Sequence, residues 1–332
     1  MDAFKAFRIR ETADKKTTAG FENVRLDELD AGEVVVRVAH SSVNFKDALA
    51  ATGKGKVIRR FPCVGGIDLA GTVETSSDAR FAKGDAVIAT SYDLGVSHDG
   101  GYAEYARIKA DWIVPMPKGL NAFDAMVFGT AGYTAALAIV RMEANGLAPA
   151  NGPVIVTGAT GGVGSIAVAI LAKLGYHVVA LTGKEAETDY LKQLGAKEVV
   201  LRQSLDLTKI RPLDKAVWAG AIDNLGGEVL AWILSQMQQG GSVGSIGLAA
   251  SASLNTTVMP FILRGANLLG IDSGYTPMPL RKQVWARIAG DMRPTNLETL
   301  TRRIAFDALP GVFDDFMSAR VRGRIVVDIG AT

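Results

Sequence analysis

The stretch with the clearest chemical meaning is the glycine-rich run 157–164, which reads Thr-Gly-Ala-Thr-Gly-Gly-Val-Gly. Its Ala159-x-Gly161-x-x-Gly164 spacing lies between a short apolar run and a run of helical type, the setting of a dinucleotide-binding loop. Gly161 would let the backbone approach a pyrophosphate, and Gly164 would let the helix pack closely on the strand. The free N–H groups at the start of that helix would hold the phosphates. The sequence therefore predicts a dinucleotide site rather than a glycine-rich turn without a ligand.

The residues after the next predicted strand indicate which dinucleotide is bound. In NAD-binding versions an Asp or Glu about 20 residues further on binds the ribose 2′-hydroxyl. Here that strand ends Leu181-Thr182-Gly183-Lys184, without an acid. Thr182 and Lys184 could bond and neutralise a 2′-phosphate, and Arg202, just past the third strand, is a second candidate. The pattern favours NADPH over NADH, with Lys184 as an ordinary solvated loop residue as the alternative.

Two other chemistries are disfavoured by the order and spacing of their residues. The run 240–244 matches the G-x-S-x-G pattern around Ser242, but that pattern needs a strand before the serine and a helix after it. Here a predicted helix precedes it and a strand follows. His40, His98 and His177 lie far apart, and Cys63 is the sole cysteine, so no metal-ligand spacing is present. Of the histidines, only His98 is weighed as a substrate contact.

The elements that must position these residues follow two patterns. Residues 1–125 carry short apolar or alternating runs such as Glu33–Ala39 and Leu69–Glu74, separated by Gly, Pro, Asp and Ser, which predicts a β-rich, partly closed barrel. From residue 126 predicted helices alternate with strands, including Pro153–Thr157 and Val178–Thr182. Alternation of this kind implies a parallel sheet covered on both faces. We predict an α/β protein with a doubly wound, parallel-sheet (Rossmann) domain at 126–274 and a β-rich domain formed by 1–125 and 275–332.

Composition limits the partners. The 332 residues carry 36 basic and 34 acidic side chains, a net charge of +2, and 48% are hydrophobic. That balance predicts a protein with a sizeable core and no nucleic-acid or membrane partner. The start of the chain lacks the apolar segment of a signal peptide, so a cytoplasmic location is expected.

Several motifs outside the glycine loop resemble those of a known family. They are 41–49 (SSVNFKDAL), 65–73 (GGIDLAGTV), 129–135 (GTAGYTA), 217–223 (VWAGAID) and 257–264 (TVMPFILR). Together the motifs resemble the medium-chain dehydrogenase/reductase superfamily over essentially the whole chain, in its zinc-free acrylyl-CoA reductase branch. The resemblance implies a GroES-like catalytic domain beside the Rossmann domain. Zinc-using relatives have a Cys ligand in the first motif and a His-Glu pair near 67–68. Asn44, Phe45 and Ile67-Asp68 stand there instead, so no catalytic zinc is expected.

The resemblance also implies an activity, NADPH-dependent reduction of the C=C bond of acrylyl-CoA to give propionyl-CoA. A hydride would add to the β-carbon and a proton to the α-carbon. The implied cofactor contacts are Phe45, Thr160, Gly161, Gly162, Val163, Gly164, Thr182, Gly183, Lys184, Arg202, Leu248, Ile262, Ser273 and Ser318. A homodimer is implied through the sixth-strand region near Leu268–Ile271.

The candidates for chemistry are four polar residues of the first two motifs. Asn44 and Lys46 are expected to donate hydrogen bonds that polarise the thioester carbonyl, and Asp47 or Asp68 to orient them. For the two Asp residues, a structural role in a salt bridge or a helix cap is an equally good interpretation.

A basic loop follows the proposed substrate segment and suggests how an acyl-CoA thioester is held. Lys54, Lys56, Arg59 and Arg60 are clustered there, and coenzyme A carries several phosphate charges. A merely solvated face is the alternative. Two other functions stay open, a quinone or α,β-unsaturated carbonyl reductase, which would need no basic loop, and a catalytically idle NADPH-binding protein.

Overall fold

The computed structural model describes residues 3–295 and 297–330. The chain folds into two units, one comprising residues 1–130, 274–285 and 300–332 and the other residues 131–273 and 286–299. The sequence assigned the whole tail from 275 to the first domain, whereas 286–299 pack with the second unit. The domain limits drawn from the sequence stay predictions, and each unit is described below by itself.

Strands and helices are numbered in chain order. The strands are β1 (Phe4–Glu11), β2 (Thr17–Val24), β3 (Val34–Val43), β4 (Cys63–Val64), β5 (Asp68–Ser76), β6 (Ala86–Thr90), β7 (Tyr105–Ile108), β8 (Ile113–Pro115), β9 (Pro153–Thr157), β10 (His177–Thr182), β11 (Glu198–Leu201), β12 (Trp218–Asp223), β13 (Met237–Ser245), β14 (Asn267–Gly270), β15 (Thr301–Ala305) and β16 (Arg324–Asp328). The helices are α1 (Phe45–Thr52), α2 (Ala122–Ala144), α3 (Gly162–Lys173), α4 (Thr188–Gln193), α5 (Gly227–Ser235), α6 (Met259–Arg264), α7 (Met278–Ala289) and α8 (Pro310–Met317).

The second unit holds a six-stranded parallel sheet in the order β11-β10-β9-β12-β13-β14. Its central strands are runs of Val, Ile and Ala buried on both faces, as parallel sheets require. The predicted doubly wound fold is confirmed. Ser242 lies inside β13, where its hydroxyl accepts a hydrogen bond from Asn145, so it is not at a nucleophile elbow. The predicted helix before Ser242 is α5, which ends at Ser235, and β13 begins at Met237.

The first unit is mainly antiparallel. A seven-stranded sheet runs β15-β16-β3-β5-β6-β8, with β7 also pairing with β3, and a three-stranded sheet runs β2-β1-β4. Its core contains an aromatic cluster in which Phe7 packs against Phe21, Tyr102 and Phe313. His98 is buried and both ring nitrogens lie within hydrogen-bond distance of backbone carbonyls, which leaves it no part in substrate contact.

Helix α2 is long and apolar enough to span a membrane, but 89% of its most apolar window is buried inside the protein. It is therefore a core helix. Gly129 interrupts it with a φ of +49°, which makes the following residue the start of a new helical segment. A Cβ at this position would stand 2.5 Å from both Asp68 Oδ2 and Ser42 Oγ. Only glycine lets the α2 backbone approach that polar pair.

Candidate active site and cofactor-binding segments

A fully buried carboxylate, Asp68 at the start of β5, is the centre of a polar network in the first unit. Its Oδ2 accepts hydrogen bonds from Ser42 Oγ at 2.6 Å, Asn44 Nδ2 at 2.8 Å and the Thr130 backbone N–H at 2.9 Å. Its Oδ1 accepts one from Thr130 Oγ1 at 2.5 Å. Four donors on one carboxylate are the usual compensation for burying it away from water.

Arg324, at the first position of β16, supplies the cation of this network. It is 1% exposed and donates to the Val127 carbonyl, Ser42 Oγ and Asn44 Oδ1 at 3.0, 2.8 and 3.2 Å. Its Nη2 lies 4.0 Å from Asp68 Oδ2. Burial lowers the pKa of Arg324, while the two buried carboxylates, Asp68 and Asp47, raise it. Arg324 was not among the residues predicted from the sequence; the available signal was a charged residue that opens an otherwise apolar strand.

Asn44 and Asp47 form a capping box at the start of α1. Asp47 Oδ2 accepts from the Asn44 backbone N–H at 2.8 Å and from Asn44 Nδ2 at 3.2 Å, and Oδ1 accepts from Ile67 N at 3.0 Å. Asn44 Nδ2 thus donates to Asp47 and Asp68 and has used both of its hydrogens. Both hydrogens are thus engaged within the protein in this structure, and the role of Asn44 as a donor to the thioester carbonyl stays a prediction.

Asp47 is a carboxyl group whose pKa is raised by its surroundings. It is completely buried, and that burial, together with the charge of Asp68, raises its pKa to about 7. The three hydrogen bonds from Asn44 and Ile67 act in the opposite direction. Asp47 is therefore close to half-protonated at neutral pH.

The side chains that this network presents outward are Phe45 and Lys46, in the first turn of α1. Both are exposed, Phe45 to 56%. Ser91 is buried at the edge of this network: its hydroxyl is 2.8 Å from Thr130 Oγ1, and its φ of +62° is unusual for a residue with a side chain. Backbone strain of this kind concentrates at functional positions. Sequence reasoning overlooked Ser91, and no local pattern marks it.

In the second unit the glycine loop joins β9 to α3 as its spacing predicts. A Cβ at 164 would lie 2.3 Å from the Gly158 carbonyl oxygen, so only glycine permits this close packing of helix on loop. Thr160 is buried, whereas Gly161 and Val163 are partly exposed at the N-terminus of α3. The buried Asp223, at the end of β12, ties that strand end to the start of the glycine loop. Its carboxylate accepts hydrogen bonds from Thr157 Oγ1 and from the Gly226 N–H, both at 2.8 Å. The loop geometry fits a dinucleotide pyrophosphate.

The residues expected to bind the ribose 2′-phosphate lie at the ends of β10 and β11. Thr182 is buried and its hydroxyl accepts from the Lys184 backbone N–H at 3.0 Å. The Arg202 guanidinium is beside Gly183, with Nε and Nη2 each 3.8 Å from where a Cβ at 183 would stand. Arg202 is exposed and also lines a cavity of about 770 Å³. No carboxylate pairs with Arg202 among the described residues, so its charge faces a space that a phosphate could fill.

The remaining expected cofactor contacts are distributed over both units. Leu248 and Ile262 are strongly exposed for apolar side chains, and Ser273 accepts from Thr134 Oγ1 at 2.7 Å in the second unit. Ser318, in the first unit, ends α8 and donates to the Asp314 carbonyl. Their part in cofactor binding stays a prediction.

The basic loop of the first unit is only partly available to a ligand. Lys54, Lys56 and Arg59 are exposed. Arg60 instead forms ion pairs with Asp30 and with the buried Asp99, so its charge is already neutralised. The structure thereby removes Arg60 from the expected phosphate-binding set and leaves the other three.

Comparison with known proteins places the chain in a family. Two family models match, the alcohol dehydrogenase GroES-like domain at residues 30–118 and the zinc-binding dehydrogenase domain at 162–290. The acrylyl-CoA reductase AcuI of Ruegeria pomeroyi is 49% identical, over 95% of this chain and 96% of that protein. Despite the second model's name, residues 3–295 and 297–330 contain no group of three or more His, Cys, Asp or Glu that could hold a metal ion.

Solved structures show the same relationship. The YhdH oxidoreductase of Salmonella enterica, in complex with NADP, is 46% identical with a TM-score of 0.95, covering 98% of this chain and all of that one. The YhfP protein of Bacillus subtilis, with NAD bound, is 47% identical with a TM-score of 0.97, covering 99% of this chain and all of that one. The chain belongs to the medium-chain dehydrogenase/reductase superfamily, in the group that contains the AcuI acrylyl-CoA reductases and the YhdH and YhfP oxidoreductases.

Proposed function

We propose that this protein is an NADPH-dependent reductase that converts acrylyl-CoA to propionyl-CoA. The observation that carries the proposal is the 49% identity, over nearly the full length of both chains, with a protein named acrylyl-CoA reductase. Its site agrees with such a reaction, because the network around Asp68 is built from hydrogen-bonding groups and needs no zinc ligands.

NADPH, when bound, supplies the hydride that adds to the β-carbon of the acrylyl group. The residues that would hold it are the glycine loop at the pyrophosphate and Thr182, Lys184 and Arg202 at the 2′-phosphate. One related structure carries NAD rather than NADP, so the choice depends on these side chains. Arg202, exposed beside Gly183, favours the phosphorylated dinucleotide because a guanidinium binds a phosphate in bidentate fashion.

The first contribution of the protein's own residues is to position the start of α1. Asp68, Arg324 and Asn44 fix the backbone at the start of α1, on which Phe45 and Lys46 are exposed. Lys46 is then the donor of choice for the thioester carbonyl, where negative charge develops when the β-carbon accepts the hydride. The Ser91 hydroxyl is 2.8 Å from that of Thr130, which donates to Asp68, so both hydroxyls belong to the same polar network.

We also infer that the protein is a cytoplasmic homodimer without nucleic-acid or membrane partners. In the second unit β14 is the outermost strand of the parallel sheet, and Leu268 and Leu269 on it are only half-buried. An edge strand with apolar side chains is a natural place for a second copy to pair. Light scattering that gives a monomer mass at micromolar concentration would contradict the dimer.

The test is turnover measured by NADPH absorbance with acrylyl-CoA, crotonyl-CoA and a simple quinone, with NADH as the control cofactor. Rapid oxidation of NADPH with acrylyl-CoA supports the proposal. Turnover of the quinone with both CoA esters ignored would replace it with a quinone or α,β-unsaturated carbonyl reductase. NADPH binding without turnover of any acceptor would favour an idle NADPH-binding protein.

A further inference from the structure

An exposed aromatic ring, Tyr275, lies beside the basic loop in the first unit. Its side chain is 56% exposed, and its hydroxyl donates to Asp93 Oδ1 at 3.0 Å. The ring packs edge-on against Tyr92, with centroids 6.3 Å apart and an interplanar angle of 79°. Tyr92 in turn stacks on Trp112 and lies under the buried Arg281. One face of Tyr275 is therefore held on a rigid aromatic base while most of its surface meets solvent.

The loop that carries Asp93, the partner of Tyr275, is bonded to the basic loop. The hydrogen bond to Asp93 raises the pKa of the Tyr275 hydroxyl, and the charge of Arg59 acts in the opposite direction. The Arg59 backbone N–H donates to the Val96 carbonyl at 2.8 Å, which fastens the basic loop to the loop that carries Asp93. Lys56 and Lys54 are exposed three and five positions before Arg59 in the same loop. Asp93 is the acidic group that contacts Tyr275, through the tyrosine hydroxyl.

We propose that Tyr275 and Arg59 form the docking site for the adenosine 3′-phosphate portion of a coenzyme A ester. The adenine stacks on the Tyr275 ring, and the phosphates pair with Arg59 and with Lys54 or Lys56. Bases stack on exposed aromatic side chains with substantial affinity, and clustered basic groups supply the counter-charge for phosphates. This inference rests on the proposed function, since it concerns the nucleotide portion of the proposed substrate and not its reacting acyl group.

The test separates binding of the nucleotide portion from reaction of the acyl group. Acrylyl-CoA is compared with the acrylyl thioester of N-acetylcysteamine, which carries the same reacting bond without the nucleotide. Tyr275→Ala should raise KM for acrylyl-CoA by about 5- to 100-fold, the range of one base-stacking contact. It should leave kcat, and KM for the short thioester, unchanged. Arg59→Ala should act in the same direction, whereas Tyr275→Phe keeps the ring and should behave like the wild type.

Arg80→Ala is the matched control, since Arg80 is an exposed arginine of the same unit that pairs with Asp78 and Asp111. An equal rise of KM for both thioesters in Tyr275→Ala, or no rise for either, would overturn the docking site. If the wild type reduces neither thioester, the proposed function fails, and the docking site is tested separately by calorimetry.

In that experiment adenosine 3′,5′-bisphosphate is titrated into the protein with saturating NADP⁺ present. Binding that is lost in Tyr275→Ala supports the site, and absence of binding to the wild type overturns it.

Discussion

Thr130 donates its hydroxyl hydrogen to Asp68 Oδ1 at 2.5 Å, and this bond sets the direction of the next one. A threonine hydroxyl has one hydrogen, so the contact of 2.8 Å between Thr130 Oγ1 and Ser91 Oγ must be donated by Ser91 while Asp68 is ionised. The hydroxyls of Ser91 and Thr130 therefore point in series toward one buried carboxylate.

Thr130→Val removes the middle of this series. Asp68 would lose one of its four hydrogen-bond donors and Ser91 would lose its acceptor, so the free energy of unfolding should fall by about 1–3 kcal/mol. Thr130→Ser keeps the hydroxyl and should lose less than half as much. Urea unfolding of both variants measures the difference. Equal stability of the Val variant and the wild type would show that the hydroxyl does not stabilise the carboxylate.

The elements of the second unit were predictable because their local pattern and their tertiary environment agree. Pro153–Thr157 has the same bounds in the sequence prediction and in the structure, and the strand predicted at Val178–Thr182 begins only one residue earlier, at His177. Helix α1 was missed because its eight residues are too few for a periodic pattern, and its capping residue Asn44 directly follows an extended run. Local signals fail where a short helix is stabilised by a cap and by packing.

The site was harder to predict than the fold. Asn44, Asp47 and Asp68 were found because they belong to recognisable motifs, but which groups their side chains contact is a tertiary property. Arg324 reaches Asp68 and Asn44 from the far end of the chain, and nothing in the residues around it marks those partners. The ion pairs of Arg60 were not predicted for the same reason, because its partners Asp30 and Asp99 come from other loops.

Arg324→Met should be among the most destabilising substitutions in the first unit. It leaves Asp68 and Asp47 buried without their cation, a situation that typically costs about 3–5 kcal/mol. Arg324→Met combined with Asp68→Asn should recover part of that loss, because the unpaired charge is removed together with its partner. Chemical unfolding of the wild type, both single variants and the double variant gives the coupling. Strict additivity of the two single effects would contradict an interaction between Arg324 and Asp68.

The stability of the protein should depend on pH through Asp47. Its pKa rises on folding from the ordinary aspartate range to about 7, so the folded state holds a proton that the unfolded chain has released. This contribution is fully present below the unfolded pKa and is lost as pH rises through the folded value. Between about pH 4 and 7, Asp47 should therefore lower the free energy of unfolding by up to about 1.4 kcal/mol for each unit of rising pH.

Asp47→Asn removes this titration and serves as the reference. The difference in unfolding free energy between the wild type and Asp47→Asn, measured at several pH values from 5 to 8, should shrink or reverse as pH rises. The slope of the wild type alone is less informative, because other groups titrate in the same interval. A difference that stays constant with pH would show that Asp47 is ionised in the folded protein throughout.

Cofactor selection should depend on the Arg202 guanidinium. Arg202 is exposed beside Gly183, and the two residues that directly follow β10, Gly183 and Lys184, are not acidic. Arg202→Ala should therefore raise KM for NADPH by about ten- to a hundred-fold, the value of one or two charge-assisted hydrogen bonds to a phosphate. KM for NADH, which lacks the 2′-phosphate, should stay within about two-fold of the wild type, well below the loss of one such bond.

Lys197→Ala is the matched control for Arg202→Ala, because Lys197 is an exposed cation at the opposite end of β11. Steady-state kinetics with both cofactors gives the comparison, and an equal loss toward NADH and NADPH would mean that Arg202 supports the fold of the loop and does not read the phosphate.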